Sequence, residues 1–168
     1  MAVGLRVAIL TVSDRGARGQ REDTSGPAIA ELLAPLGAKI VEKTIVPDQA
    51  DRIRAQLRAW LDAGAVNLIV TTGGTGLGPR DVTPEATRPV IEREIPGLAE
   101  VMRAEGLRHT PKAALSRGLA GASGATLILN LPGSERGVRE NLGAVLPVLA
   151  HAVELLAGET EHPPGDPS

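Results

Sequence analysis

The chain has 168 residues, a formal net charge of −2 and a pI near 5.9; 42% of its residues are hydrophobic, with one Trp and no Phe, Tyr or Cys. That composition excludes disulfides, thiolate metal sites and a cysteine nucleophile, and it leaves neither a broad basic footprint nor an aromatic platform for nucleic acid. No stretch approaches the roughly eighteen apolar residues of a membrane span, and the N-terminus does not resemble a signal peptide, so a soluble cytoplasmic protein is expected.

The length suits one domain, expected over residues 1–157, with a disordered tail at 158–168. Without Phe or Tyr its core is built from Ala, Val, Leu and Ile. Residues 5–12, LRVAILTV, form an apolar, β-branched run ended by Ser13-Asp14-Arg15-Gly16, and predict a first strand. The aperiodic RGARGQREDT that follows is expected to be a loop. Thr24-Ser25-Gly26-Pro27 starts a helix, with Thr24 or Ser25 as the capping oxygen, and Pro35 and Gly37 close it.

Residues 38–46 predict a second strand, stopped by Pro47-Asp48. From Asp48 to Gly64 the residues Ile53, Leu57, Trp60 and Leu61 fall at helical spacing. Trp60 reads as a core or interface anchor. Asn67 to Thr72 is short and apolar throughout, as expected of a strand buried on both faces. Next comes TTGGTGLGPRDVTPEAT at 71–87, then a helix with Thr83 as N-cap and Pro84 at its first position, broken at Pro96-Gly97. LAEVMRAEG predicts a short helix. Gly121-Ala122-Ser123-Gly124 can turn a hairpin whose second arm is ATLILNL. Pro132-Gly133-Ser134 then starts a helix to about Ala157, kinked at Pro147. Alternating strands and helices followed by a hairpin predict a three-layer α/β/α fold around a mostly parallel sheet with one antiparallel strand.

Polar and glycine-rich groups cluster at four strand exits: Ser13-Asp14, Asp48, the glycine loop and Pro132-Gly133-Ser134. In a parallel sheet such exits share one edge, where open α/β folds bind ligands. The glycine loop has the glycine spacing of a phosphate-binding P-loop, but Pro79 and Arg80 stand where Lys and Ser/Thr belong, and no GxGxxG is present. What survives is a run of N–H groups before a helix, suited to an anion; the competing reading is a tight turn.

Asp48 and Asp81 singly pass for helix-start acids. Together beside an anion cradle they point to Mg²⁺, which takes one or two carboxylates plus substrate phosphates. Asp14 is a third possible ligand or part of a polar turn. Ser116 and Arg117 either reach a phosphate or belong to a surface loop. His109, His151 and His162 share no ligand spacing. With no Ser-His-Asp set, chemistry that needs an imidazole base is disfavoured. Phosphoryl or nucleotidyl transfer fits better, because positioning and charge neutralisation carry it, and a phosphate monoester, with a second pKa of about 6, needs no base to attack.

LTVSDRG, DTSGP, TTGGTGLGPRDVTPEAT, LSR and NLPGS, in this order, resemble the molybdenum cofactor biosynthesis proteins of the MoaB/Mog type over about residues 5–155. The resemblance implies the molybdopterin-binding three-layer fold and molybdopterin adenylyltransferase activity. ATP and molybdopterin would give adenylylated molybdopterin and pyrophosphate, with Mg²⁺. It implies Asp48 and Asp81 as the acidic pair for Mg²⁺ and transfer, and Gly73, Gly74, Thr75 and Gly76 as the phosphate cradle. Ser13, Pro132, Gly133 and Ser134 would line the nucleotide and pterin pocket, joined by Ser116 and Arg117. It also implies a homotrimer or an assembly of trimers and a downstream molybdate-inserting protein. Some MoaB-type relatives instead suggest a non-catalytic pterin carrier.

Overall fold

A computed structural model describes residues 3–159; the expected tail beyond Glu159, with His162, lies outside the described residues. The strands are β1 (Arg6–Val12), β2 (Lys39–Val46), β3 (Leu68–Thr72), β4 (Arg93–Glu94), β5 (Ala120–Ser123) and β6 (Thr126–Leu131), in the order β2-β1-β3-β6-β5-β4. β2, β1, β3 and β6 are mutually parallel, whereas β5 is antiparallel to both of its neighbours.

Helices α1 (Asp14–Ala17), α2 (Ser25–Leu33), α3 (Ala50–Ala63), α4 (Thr83–Thr87), α5 (Pro96–His109) and α6 (Glu135–Leu156) complete the described elements, with three short 3₁₀ turns. Alternation along the strands divides the core in two. Val7, Ile9, Leu68, Val70, Leu127 and Leu129 pack under α2, α5 and α6, while Ala8, Leu10, Val12, Ile69 and Ile128 pack against α3 and α4. The result is the expected three-layer α/β/α sandwich. β3 is buried at every position, as its unbroken apolar run requires. None of the described helices is long and apolar enough to cross a membrane.

Several expected details are corrected. The loop after β1 contains the one-turn α1, because the Ser13 hydroxyl accepts from the Gly16 N–H at 3.0 Å. Thr24 is the N-cap residue of α2, but neither its hydroxyl nor that of Ser25 caps the helix; Asp23 accepts from the Gly26 N–H at 2.9 Å, and the Ser25 hydroxyl donates to the Gly133 carbonyl at 2.7 Å. Asp48 does not cap α3, whose N-cap residue is Gln49. Thr83 lies within α4 rather than capping it, since its hydroxyl donates to the Gly73 carbonyl at 2.9 Å.

The helix from Thr83 is also shorter than expected, and β4 follows it. The hairpin turns at Gly124 (φ 55°), while Gly121 sits inside β5. A Cβ on Gly121 would come within 2.8 Å of the Arg93 carbonyl, so its glycine serves close approach of β4. α6 stays helical through Pro147. Trp60 is a core residue, 5% exposed, whose indole N–H donates to Glu42 at 2.6 Å.

Candidate functional site

The strand order reverses between β1 and β3, where one connection leads to β2 and the next toward β6. β1 and β3 stay paired as far as Thr11 and Thr72, and at such a switch point it is the connections running to opposite sides that leave a crevice above the strand ends. The glycine loop starts there. Gly73 (φ 99°) and Gly74 (φ 68°) adopt the left-handed region, and a Cβ on Gly73 would strike the Val12 carbonyl. Thr83 fastens this bend, with its N–H donating to the Gly74 carbonyl at 3.0 Å and its hydroxyl to that of Gly73.

The expected cradle is narrower than residues 73–78. The Gly73 N–H donates to the Leu131 carbonyl at 3.1 Å, and the Gly78 N–H to Asp81 Oδ2 at 2.9 Å. Among the described residues no acceptor meets the N–H groups of Gly74, Thr75 and Gly76. Those three remain available to an anion.

Asp48 and Asp14 clasp each other. The Asp14 N–H donates to Asp48 Oδ2 at 2.8 Å, and the Asp48 N–H to Asp14 Oδ1 at 3.0 Å. Arg80 grips Asp14 with two bonds, Nε to Oδ2 at 3.1 Å and Nη2 to Oδ1 at 2.9 Å. Asp14 is thus engaged on both oxygens and is not presented as a ligand. The Arg80 guanidinium holds its carboxyl below the usual range, whereas burial, then the charges of Asp14 and Asp81, push that of Asp48 up.

Asp48 Oδ1 and Asp81 Oδ1 accept no hydrogen bond from described residues, and Asp48 Oδ1 points at Gly74, 3.4 Å from where a Cβ would stand. Two mutually repelling carboxylates, each with one oxygen anchored and one open, fit a Mg²⁺ ion shared with phosphates. Among the described residues no group of three or more His, Cys, Asp or Glu could hold a metal. His109 instead contacts Glu105 at 3.0 Å and His151 contacts Glu154 at 3.9 Å.

Two clefts open here. One, of about 580 Å³, is lined by Thr75, Lys112, Ser116, Arg136 and Asn141 among others; the second, of about 380 Å³, by Ser13, Arg21, Asp23, Ser25 and Asp48 among others. Gly74, Asp81, Gly133 and Ser134 line both. The divider is held from below: the Thr72 hydroxyl donates to the Pro132 carbonyl at 2.6 Å, and a Cβ on Gly133 would lie 3.2 Å from the Cα of Gly73. Ser134 caps α6, accepting from the Gly137 N–H at 3.0 Å.

Arg117 does not project into either cleft. Its Nε donates to the Gly76 carbonyl and its Nη2 to the Asp81 carbonyl, both at 2.8 Å, and its Nη1 pairs with Glu85. It braces the loop rather than offering a phosphate ligand. The bracing partners Glu85, Arg80 and Thr83 were missed as site residues. Their only signal is membership of the quoted motif, since Glu85 and Thr83 also read as ordinary helix-start residues.

The model of the family described as "Probable molybdopterin binding domain" matches residues 8–151. A Helicobacter pylori molybdopterin adenylyltransferase is 42% identical over 156 residues, covering 92% of this chain and 89% of that protein. The Drosophila melanogaster molybdenum cofactor synthesis protein cinnamon is 47% identical over 152 residues, 90% of this chain, which spans only 25% of that longer protein. The crystal structure of MoaB from Thermus thermophilus superposes with a TM-score of 0.87 at 58% identity, covering 92% of this chain and 97% of that one. With a family match across most of its length and this site at the sheet edge, the chain belongs to the molybdopterin-binding domain family of molybdenum cofactor biosynthesis.

Proposed function

We propose that the chain is a Mg²⁺-dependent molybdopterin adenylyltransferase. The observation that carries this reading is the shared wall between two clefts, with Asp81 in that wall and Asp48 beside it. Two substrates, one in each cleft, would meet across Gly74 and Gly133. The phosphate monoester oxygen of molybdopterin attacks the α-phosphorus of ATP; a P–O bond forms, the bond to the β-phosphate breaks, and pyrophosphate leaves. The nucleophile is already ionised at neutral pH, which fits a site without a positioned imidazole.

The N–H groups of Gly74, Thr75 and Gly76 hold phosphate oxygens, and Ser13, Ser116 and Ser134 orient the substrates. Asp48 and Asp81 would hold Mg²⁺, which when bound neutralises charge on the transferred phosphate. Relatives named molybdopterin adenylyltransferase, matched over most of their length, support the same activity. A homotrimer or assembly of trimers, a cytoplasmic setting and delivery to a molybdate-inserting protein accompany this reading.

Purified protein with molybdopterin, ATP and Mg²⁺ should release pyrophosphate, and Asp81→Asn should lower turnover by roughly 100-fold or more while leaving circular dichroism unchanged. Pterin binding without pyrophosphate above a protein-free control would sink the enzyme reading and leave a carrier.

A further inference from the structure

We infer that the Arg80–Asp14 ion pair is a positioning device that sets Asp48 relative to Asp81. Arg80 immediately precedes Asp81 on the loop, and its guanidinium takes both oxygens of Asp14. Asp14 in turn holds Asp48 at two points: its N–H fixes Asp48 Oδ2, and its Oδ1 receives the Asp48 N–H. The two carboxylates lie on separate strand exits, 33 residues apart in sequence (81 − 48). Among the described residues, the hydrogen-bonded chain Asp81–Arg80···Asp14···Asp48 links them.

A planar fork on a carboxylate constrains direction as well as distance, so the link is stiffer than a single contact. Arg80 is exposed, with 58% of its side chain accessible, and Asp14 less so at 24%. An exposed pair of this kind adds little to stability, so its value lies in geometry. It turns the open Asp48 Oδ1 toward Gly74 while the neighbouring Asp81 is drawn to the same wall. The bond from Arg80 also keeps Asp14 from competing as a ligand.

The proposal concerns cation binding at the site under the adenylyltransferase reading and rests on that reading for the cation itself. Its test measures Mn²⁺ affinity by electron paramagnetic resonance with α,β-methylene-ATP, alongside hydrogen exchange of the Asp48 amide. Arg80→Ala and Asp14→Asn should each weaken Mn²⁺ binding about 10–100-fold, and the double variant no further than the worse single one. The Asp48 amide should exchange at least about tenfold faster in Arg80→Ala (ordinary protection being set by local opening). Arg80→Lys should fall between, having a point charge without the fork. Thermal midpoints should stay near wild type.

Unchanged Asp48 exchange in Arg80→Ala, or additive losses in the double variant, would overturn the positioning role. If wild type binds no Mn²⁺ yet Asp48 exchange accelerates in Arg80→Ala, the positioning role stands and the adenylyltransferase reading fails.

Discussion

Arg117 donates to the main-chain carbonyl of Asp81 at 2.8 Å, so a residue 36 positions away in sequence holds the backbone that carries a candidate metal carboxylate. The same guanidinium bonds the Gly76 carbonyl and pairs with Glu85 at the start of α4. Two points on the loop and one on α4 are thereby fixed to a single planar group. Arg117→Ala should free the loop, raising the ATP KM and lowering kcat together by roughly 10–100-fold in kcat/KM. Arg117→Lys should recover little, because an ammonium cannot address three diverging acceptors. Steady-state kinetics with a hydrogen-exchange comparison of residues 74–81 checks both.

Asp48 makes a prediction about pH. Burial first, then the negative charges of Asp14 and Asp81, raise its folded pKa above the ordinary value of about 3.9. Between that ordinary value and the raised one, the folded state keeps a proton that the unfolded chain has lost. Stability at this group therefore falls as pH rises through that window, and its ionised form is a standing cost at neutral pH. Asp48→Asn should raise Tm at pH 7, by roughly 2–4 °C for each kcal/mol relieved, while abolishing turnover. The gain should vanish below about pH 4, where the wild-type carboxyl is itself protonated. Thermal melts across pH 3.5–8 test the sign.

Gly73 and Gly124 both have positive φ but should respond differently to alanine. At Gly124 a Cβ meets nothing within 4 Å, so only the backbone conformation resists it, at about 1–2 kcal/mol. At Gly73 the Cβ would also strike the Val12 carbonyl, which β1 holds in place. Gly73→Ala should thus lose stability beyond about 2 kcal/mol and lose nucleotide binding, whereas Gly124→Ala should bind normally. Urea unfolding and calorimetry with a non-hydrolysable ATP analogue separate them.

Asn130 is 2% exposed in β6 and supplies a polar network inside the core. Its Oδ1 accepts from the Leu119 N–H at 3.2 Å, and its Nδ2 donates to the hydroxyls of Thr71 at 2.9 Å and Thr87 at 3.2 Å. Thr87 donates onward to the Thr83 carbonyl at 2.8 Å, and so reaches the residue that fastens the glycine bend. Asn130→Leu should cost about 2–4 kcal/mol, because it strands the buried Leu119 N–H and the Thr71 hydroxyl and removes a donor from Thr87. Denaturant unfolding gives the magnitude, and a parallel loss of nucleotide affinity would show that the network supports the loop.

Periodicity and turn chemistry in the sequence determined the layers of the fold. Strands β1, β3 and β6 are predominantly apolar runs bounded by turn residues and are buried on both faces, as central strands of a covered sheet are. Glycine density at 73–78 and acids at 48 and 81 likewise marked the candidate site, since groups at strand exits converge on one edge of a parallel sheet. Two-residue β4 was illegible, because Arg93-Glu94 carries no period and becomes a strand only by pairing with β5. Tertiary structure alone decided the division of labour among the polar residues. A carboxylate, guanidinium or hydroxyl has the same chemistry whether it meets substrate or backbone, and its role depends on what distant segments bring within about 3 Å. Thus Asp14 became a clasp, Arg117 a brace and Thr83 a fastener, while the N–H groups of Gly74, Thr75 and Gly76 remained open.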